Sequence, residues 1–256
     1  MTRIKASPMS KTVVVTGGSR GIGAGIAKLF AERGWQVVLT YANNKATADQ
    51  VVAEIAKCGG TALAMRCDTR SEGDIVDVFA EIDRRGYAIS AVVNNAGITG
   101  PTTTLMDLTS DTLREVVDVN LIGVILCCRE AARRMSTRRG GAGGVIVNLS
   151  STGTRLGNPN QWVHYAATKG AVDVLTNGLA RELAADGIRV AAVAPGLTMT
   201  DPARAPEIMA RLASMLGEIP LDRPGTVAEV AEGVFWLCSD AASYCTGVVL
   251  PIAGGR

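Results

Sequence analysis

The 256-residue chain is poor in the residues that mark several functional classes. Aromatic side chains make up 4% of it, and 26 Lys and Arg stand against 24 Asp and Glu for a formal charge of +2. Nucleic-acid binding draws on a strong positive field and on aromatic stacking platforms, and neither is present. A single histidine, His164, and six cysteines without any C-x-x-C pair leave no metal-ligand spacing. The cysteines (Cys58, Cys67, Cys127, Cys128, Cys238, Cys245) therefore read as buried or semi-buried free thiols. The longest apolar stretch, Val119 to Cys128, is broken by Asn120 and is well short of the ~20 residues that span a bilayer. No secretory leader is legible, because the basic "MTRIKASPMSK" is followed only by Val13 to Val15. Residues 1–11 read as a tail, with Met1 and Met9 both placed to start the chain. These absences point to a cytoplasmic protein with neither a membrane nor a nucleic-acid partner.

What is abundant is alternation. Apolar runs rich in β-branched residues recur at 12–16, 36–40, 62–66, 91–93, 145–149, 189–193 and 248–252, separated by longer amphipathic segments. The first such segment places Ile22, Ile26, Leu29 and Phe30 on one helical face and stops at Gly34. Continuous apolar strands separated by helices imply a single α/β domain over 12–256. Its doubly wound parallel sheet would have about seven strands and helices on both faces. Such Rossmann-type sheets bind ligands beyond the carboxyl ends of their strands. Two segments stand apart. "RRMSTRRGGAGG" (133–144) reads as a solvated basic loop, and 195–226, with five prolines, as an excursion of the kind that lines binding sites.

Five short motifs fall at those strand ends. "TGGSRGIG" (16–23) does not satisfy G-x-G-x-x-G, yet Gly17, Gly21 and Gly23 permit either a phosphate cradle or an ordinary tight turn. "NNAG" (94–97) closes the fourth strand. Asn120 sits in an apolar helix, where its amide either satisfies backbone or serves function. Ser150 and Ser151 follow the fifth strand. In "YAATK", Tyr165 and Lys169 are one helical turn apart, so the ammonium stands where it would stabilise a phenolate. His164 next to Tyr165 faces another way on the helix and reads as structural.

Taken together with "CD" (67–68), "APGLTMT" (194–200) and "YCTGVVLPIAGG", these motifs resemble, end to end, the short-chain dehydrogenase/reductase family. The branch is that of 3-oxoacyl-carrier-protein reductases and glucose dehydrogenases. The resemblance implies an oxidoreductase that interconverts a carbonyl and a secondary alcohol by hydride transfer with a nicotinamide cofactor. Tyr165 would be its acid/base, Lys169 would lower the phenol's pKa and hold the nicotinamide ribose, and Ser151 would bond the substrate oxygen. Asn120 would support a proton relay from Lys169. Gly17, Ser19, Arg20, Gly21 and Ile22 would surround the diphosphate and ribose, Asp68 the adenine, and Asn94 with Ala96 its ribose side. Pro195, Gly196, Leu197 and Thr198 would meet the nicotinamide. A homotetramer (or homodimer) is implied as well. Ser151 and Tyr165 are one residue further apart than is commonest in the family, and Ala191 replaces a frequent Asn.

Where NAD sites carry an acid after the second strand, this chain has Tyr41, followed by Ala42, Asn43 and Asn44. With Arg20 in the loop, the expectation is NADP as cofactor, with NAD also accepted. The substrate is expected to be a small carbonyl or alcohol held by Gly153, Thr154, Leu156, Trp162, Val163 and the 200–215 segment. A 3-oxoacyl thioester and a sugar remain open alternatives, as does a non-catalytic NADP-binding sensor. For the first, Arg129, Arg133, Arg134, Arg138 and Arg139 would supply charge for an acidic carrier.

Overall fold

The computed structural model describes residues 11–200, 206, 209, 210, 213 and 218–256. The tail at 1–10 and most of the 200–215 segment lie outside the described residues. Seven parallel strands form one sheet: β1 (Thr12–Val15), β2 (Gln36–Tyr41), β3 (Thr61–Arg66), β4 (Ile89–Asn94), β5 (Gly144–Leu149), β6 (Ile188–Pro195) and β9 (Val249–Ile252). Across the sheet they run in the order β3-β2-β1-β4-β5-β6-β9. A two-stranded ribbon pairs β7 (Thr198–Met199) with β8 (Gly225–Thr226). Every apolar run expected to be a strand is one, with ends displaced by one or two residues.

Two-faced burial explains those runs. Val13 and Val15 of β1 face a core closed by helices α1 (Gly21–Glu32) and α2 (Lys45–Lys57) and by α8 (Val227–Cys238), while Val14 faces the opposite core. That second core lies under α3 (Glu72–Arg84), α5 (Gly123–Met135) and α7 (Val163–Glu182). The remaining helices, α4 (Ser110–Val117) and the one-turn α6 (Gly153–Leu156), pack beside α7. On α1, Ile26 and Phe30 are fully buried and Ile22 and Leu29 partly so, which is the expected stripe. Strand order reverses between β1 and β4, so the loops after β1, β4, β5 and β6 converge at one end of the sheet.

Among the described residues, no helix is long and apolar enough to cross a membrane. Cys58 is exposed, unlike the semi-buried state expected of it, because it caps the solvent end of α2. The arginines at the end of α5 are largely neutralised. Glu130, almost wholly buried, pairs with Arg129, Arg133 and Arg134; Arg129 also meets Glu72, Arg134 meets Asp83, and Arg138 meets Asp186.

Candidate active site

The glycine loop leaves β1 and is stitched to the loop after β4. Thr16 Oγ1 accepts the backbone N–H groups of Asn95 and Ala96, both at 3.0 Å. The Asn95 amide donates in turn to the carbonyls of Thr16 at 2.8 Å and Gly17 at 3.0 Å. Gly17 takes a φ of +64°, open to glycine at no steric cost, and a Cβ there would sit 3.0 Å from the Ala96 backbone. At Gly23 a Cβ would lie 2.4 Å from both the Gly17 carbonyl and the Asn95 amide, so only glycine lets α1 start here. Gly23→Ala is expected to disrupt this junction, costing about 1–3 kcal/mol of stability and most of the affinity for dinucleotide. Chemical denaturation and a cofactor titration read the two losses.

Arg20 is the extended residue before α1, and no side chain caps the helix. The first-turn N–H groups and the positive end of the helix dipole are therefore left for an anion, which fits a diphosphate. Arg20 itself is exposed. With Ser19 and Gly21 it opens onto a groove of about 550 Å³ between α1, α2 and α8, which meets the main cavity at Thr200.

The main cavity, about 350 Å³, lies at the ends of β4, β5 and β6. Tyr165 and Lys169 enter it from α7, Ser150 and Ser151 from the β5 end, and Pro195, Gly196, Leu197 and Thr198 from the β6 end. Lys169 is only 4% exposed, donates from Nζ to the Leu149 carbonyl at 2.6 Å, and lies 5.8 Å from the Tyr165 ring centre. Burial pushes its pKa down to about 8, against the opposing pull of the Asp173 carboxylate. The ammonium is thus cationic at neutral pH yet close to titrating.

Asn120 belongs to a π-helical turn, Asp118–Ile122, between α4 and α5, and not to a regular helix. The extra residue of such a turn re-aims a side chain. Here the amide exchanges two hydrogen bonds with the Ile98 backbone, at 2.8 and 2.9 Å, and donates to Thr168 at 3.2 Å. A Cβ on Gly97 would come within 3.3 Å of the Asn120 amide oxygen and 3.4 Å of Lys169 Nζ. Backbone satisfaction and proximity to Lys169 therefore coexist. Of the two serines, Ser151 Oγ accepts the Gly153 N–H at 3.0 Å, which leaves its proton to donate into the cavity. Ser150 Oγ is buried with no hydrogen-bond partner among the described residues.

Two of the expected side chains, Asn94 and Tyr41, are turned into the interior. Asn94 is turned into the sheet, where its amide donates to Asn148 at 2.9 Å and Cys128 at 3.2 Å; Asn95 lines the cavity instead. Tyr41 is packed in the core on the α1/α2 face, because strand alternation in β2 turns it inward. Asp68, at the β3 end, is held by Arg70 at 2.6 Å, whose hydrogen bonds keep its carboxyl below the usual range against the opposing effect of burial. Of the expected substrate wall, Gly153 and Trp162 line the cavity, whereas Leu156 and Val163 point to solvent. Thr154 turns its hydroxyl back to the Ser151 carbonyl at 3.1 Å. Thr99, Asn158 and Arg256 line the cavity unanticipated. Asn158 and Asn160 both take positive φ, 46° and 59°, around Pro159; that N-P-N turn was the available signal. His164 bonds the Thr99 carbonyl at 3.0 Å and anchors the loop beside the site.

Comparison with known proteins agrees with this geometry. Residues 17–256 match the family described as Enoyl-(Acyl carrier protein) reductase. The chain is 43% identical to the uncharacterized oxidoreductase YgfF of Escherichia coli (strain K12), over 95% of this chain and 98% of that one. It is 39% identical to the 3-oxoacyl-[acyl-carrier-protein] reductase FabG of Staphylococcus aureus (strain Mu50 / ATCC 700699), over 96% and 98%. A doubly substituted mutant of a Serratia marcescens short-chain dehydrogenase/reductase superposes with a TM-score of 0.87 at 31% identity, covering 97% of this chain and 99% of that one.

Proposed function

The chain belongs to the short-chain dehydrogenase/reductase family of NAD(P)-dependent oxidoreductases, and on that premise we propose that it is an NADP(H)-dependent carbonyl reductase with Tyr165 as its acid/base. The observation that carries the reading is the convergence of Tyr165, buried Lys169 and Ser151 on one cavity beside an uncapped helix N-terminus.

A bound nicotinamide cofactor supplies the redox chemistry. The chain's own residues supply orientation and proton transfer. The open first turn of α1, with Gly17, Gly21 and Ile22 around it, receives the diphosphate. The β6-end residues Pro195 to Thr198 form the wall for the nicotinamide. Ser151 donates to the substrate oxygen, and Tyr165 hands its proton to that oxygen as negative charge develops there. Lys169 lowers the cost of the phenolate left behind. Asn120 acts from behind, holding the π turn against α7 beside Lys169. In the alcohol-oxidising direction Tyr165 takes the proton back.

The NADP preference rests on Arg20, exposed at the start of α1, and on the lack of any acid at 41–44. Arg20→Ala is expected to weaken NADPH binding about tenfold or more while leaving NADH nearly unchanged. Equal losses for both cofactors in a fluorescence titration would sink this assignment.

The substrate half of the cavity mixes Trp162, Thr99, Asn158 and Arg256, which suits a small, partly polar ketone. A 3-oxoacyl thioester is the second reading, favoured by the similarity to FabG. Against carrier-protein docking through the arginines in and just after α5 stands their pairing with Glu72, Asp83, Glu130 and Asp186. A panel of ketones, sugars and acetoacetyl thioesters, assayed with NADPH and NADH by nicotinamide absorbance, decides among them. No turnover with any carbonyl would overturn the enzyme reading.

We also take the protein to be a homotetramer. Ile122, Ile125 and Val174 remain exposed on and beside α5 and α7, as do Trp236 and Tyr244 near β9, apolar surface of the kind subunit contacts cover.

A further inference from the structure

Helix α7 carries a third ionisable group in register with the first two. Tyr165, Lys169 and Asp173 follow one another at intervals of four, so each is one turn beyond the last on neighbouring parts of one face. Side chains on a helix lean toward its N-terminus, which tilts Asp173 back toward Lys169. Asp173 Oδ1 is buried and has no hydrogen-bond partner, and its carboxylate makes no ion pair among the described residues. A buried carboxylate oxygen without partners is unfavourable for folding, so stability alone gives no reason for an acid here.

We propose that Asp173 is a positioning residue for the active site: its carboxylate keeps Lys169 in the charged form that supports Tyr165. The proposal rests on the reading of Tyr165 and Lys169 given above. Among the described residues, Asp173 is the acid whose field raises the pKa of Lys169, opposing the larger effect of the burial that lowers it.

The surroundings leave no rival for that part. Lys169 itself donates to the Leu149 carbonyl, and its Nζ lies beside Gly97 and 5.8 Å from the Tyr165 ring centre. Charged groups on the elements packed against α7 are engaged elsewhere. Arg155 binds the Arg256 carbonyl, Asp111 pairs with Arg114, Glu115 with Arg70, and Arg189 binds the carbonyls of Ser239 and Cys245. Asp118, in the π turn, lies in the field of Arg70. His164 is turned to the Thr99 carbonyl.

The test compares wild type with Asp173→Asn and Asp173→Ser, and with Asp173→Glu as the variant that retains the charge. In the cofactor-free protein, an NMR titration of the Lys169 Nζ resonance should show its midpoint about one pH unit lower in the Asn and Ser variants, and unmoved in the Glu variant. In the reduction assay, the limb where kcat falls with rising pH should move down by the same amount. The deficit should then be small at pH 6 and about threefold at pH 7.5. An unshifted Lys169 midpoint, or a loss of kcat equal at every pH, would overturn the proposal. So would a change of oligomeric state on sedimentation with Lys169 titrating as in wild type, which would assign Asp173 to a contact with a second copy of the chain. Tyr165→Phe keeps the two questions apart. Undiminished turnover in that variant defeats the reading of the site, whereas an unmoved Lys169 midpoint defeats only the role of Asp173.

Discussion

Tyr165→Phe is expected to lower kcat for carbonyl reduction by about 10²–10⁴-fold, the usual worth of a positioned proton donor. The substitution removes one hydroxyl and keeps the ring, whose centre lies 5.8 Å from Lys169 Nζ. Nothing in the glycine loop or at the β6 end changes, so the dissociation constant for NADPH should stay within about twofold. The two measurements belong together. Loss of turnover with intact cofactor binding identifies a group acting on the reacting oxygen, while parallel losses would indicate damage to the fold. Turnover within tenfold of wild type would return the protein to the class of dinucleotide-binding sensors.

Lys169→Met should produce a more stable and nearly inactive protein. The fold pushes the lysine from its ordinary 10.5 down to about 8, so the charged form is penalised by burial. That shift corresponds to roughly 3 kcal/mol of unfavourable energy at neutral pH. Methionine removes it but leaves the Leu149 carbonyl without the donor at 2.6 Å, at a cost of about 1–2 kcal/mol. The net gain of about 1–2 kcal/mol should raise Tm by several degrees in a chain of this length. The sign has a pH signature. Below pH 8 the ammonium is charged in both folded and unfolded chains and the full penalty applies. Between 8 and 10.5 the folded protein releases the proton first, so wild-type stability gains relative to the variant, and the difference closes and then reverses as the lost hydrogen bond is all that remains. Thermal melts at pH 7 and pH 10 read this directly. Turnover, by contrast, should fall at least 10²-fold at pH 7, because without the ammonium no positive charge stands beside Tyr165 to stabilise the phenolate left after proton transfer.

Strands were the most legible feature of the sequence. A run such as Val13-Val14-Val15, buried on both faces, has few alternatives to a central parallel strand, and local composition records it. Motif order likewise carried the family, and with it the roles proposed for Tyr165, Lys169 and Ser151. The direction of individual side chains was less accessible. Asn94 and Asn95 are adjacent and chemically identical, and only strand pairing shows that the first bonds Asn148 while the second reaches the glycine loop. Tyr41 likewise sits at the position of the expected acid, but the pleat of β2 turns it into the core.

The sequence by itself determined the strand–helix alternation, the glycine loop and the spacing of the reactive residues, because these depend on neighbours within a turn or two of chain. Tertiary structure decided the state of those residues. The burial that lowers the pKa of Lys169, the π turn that commits Asn120 to Ile98, and the pairing of the α5 arginines with Glu72 and Asp83 all arise from contacts between distant segments. Desolvation and charge pairing depend on what surrounds a group in three dimensions, and no pattern along the chain records that.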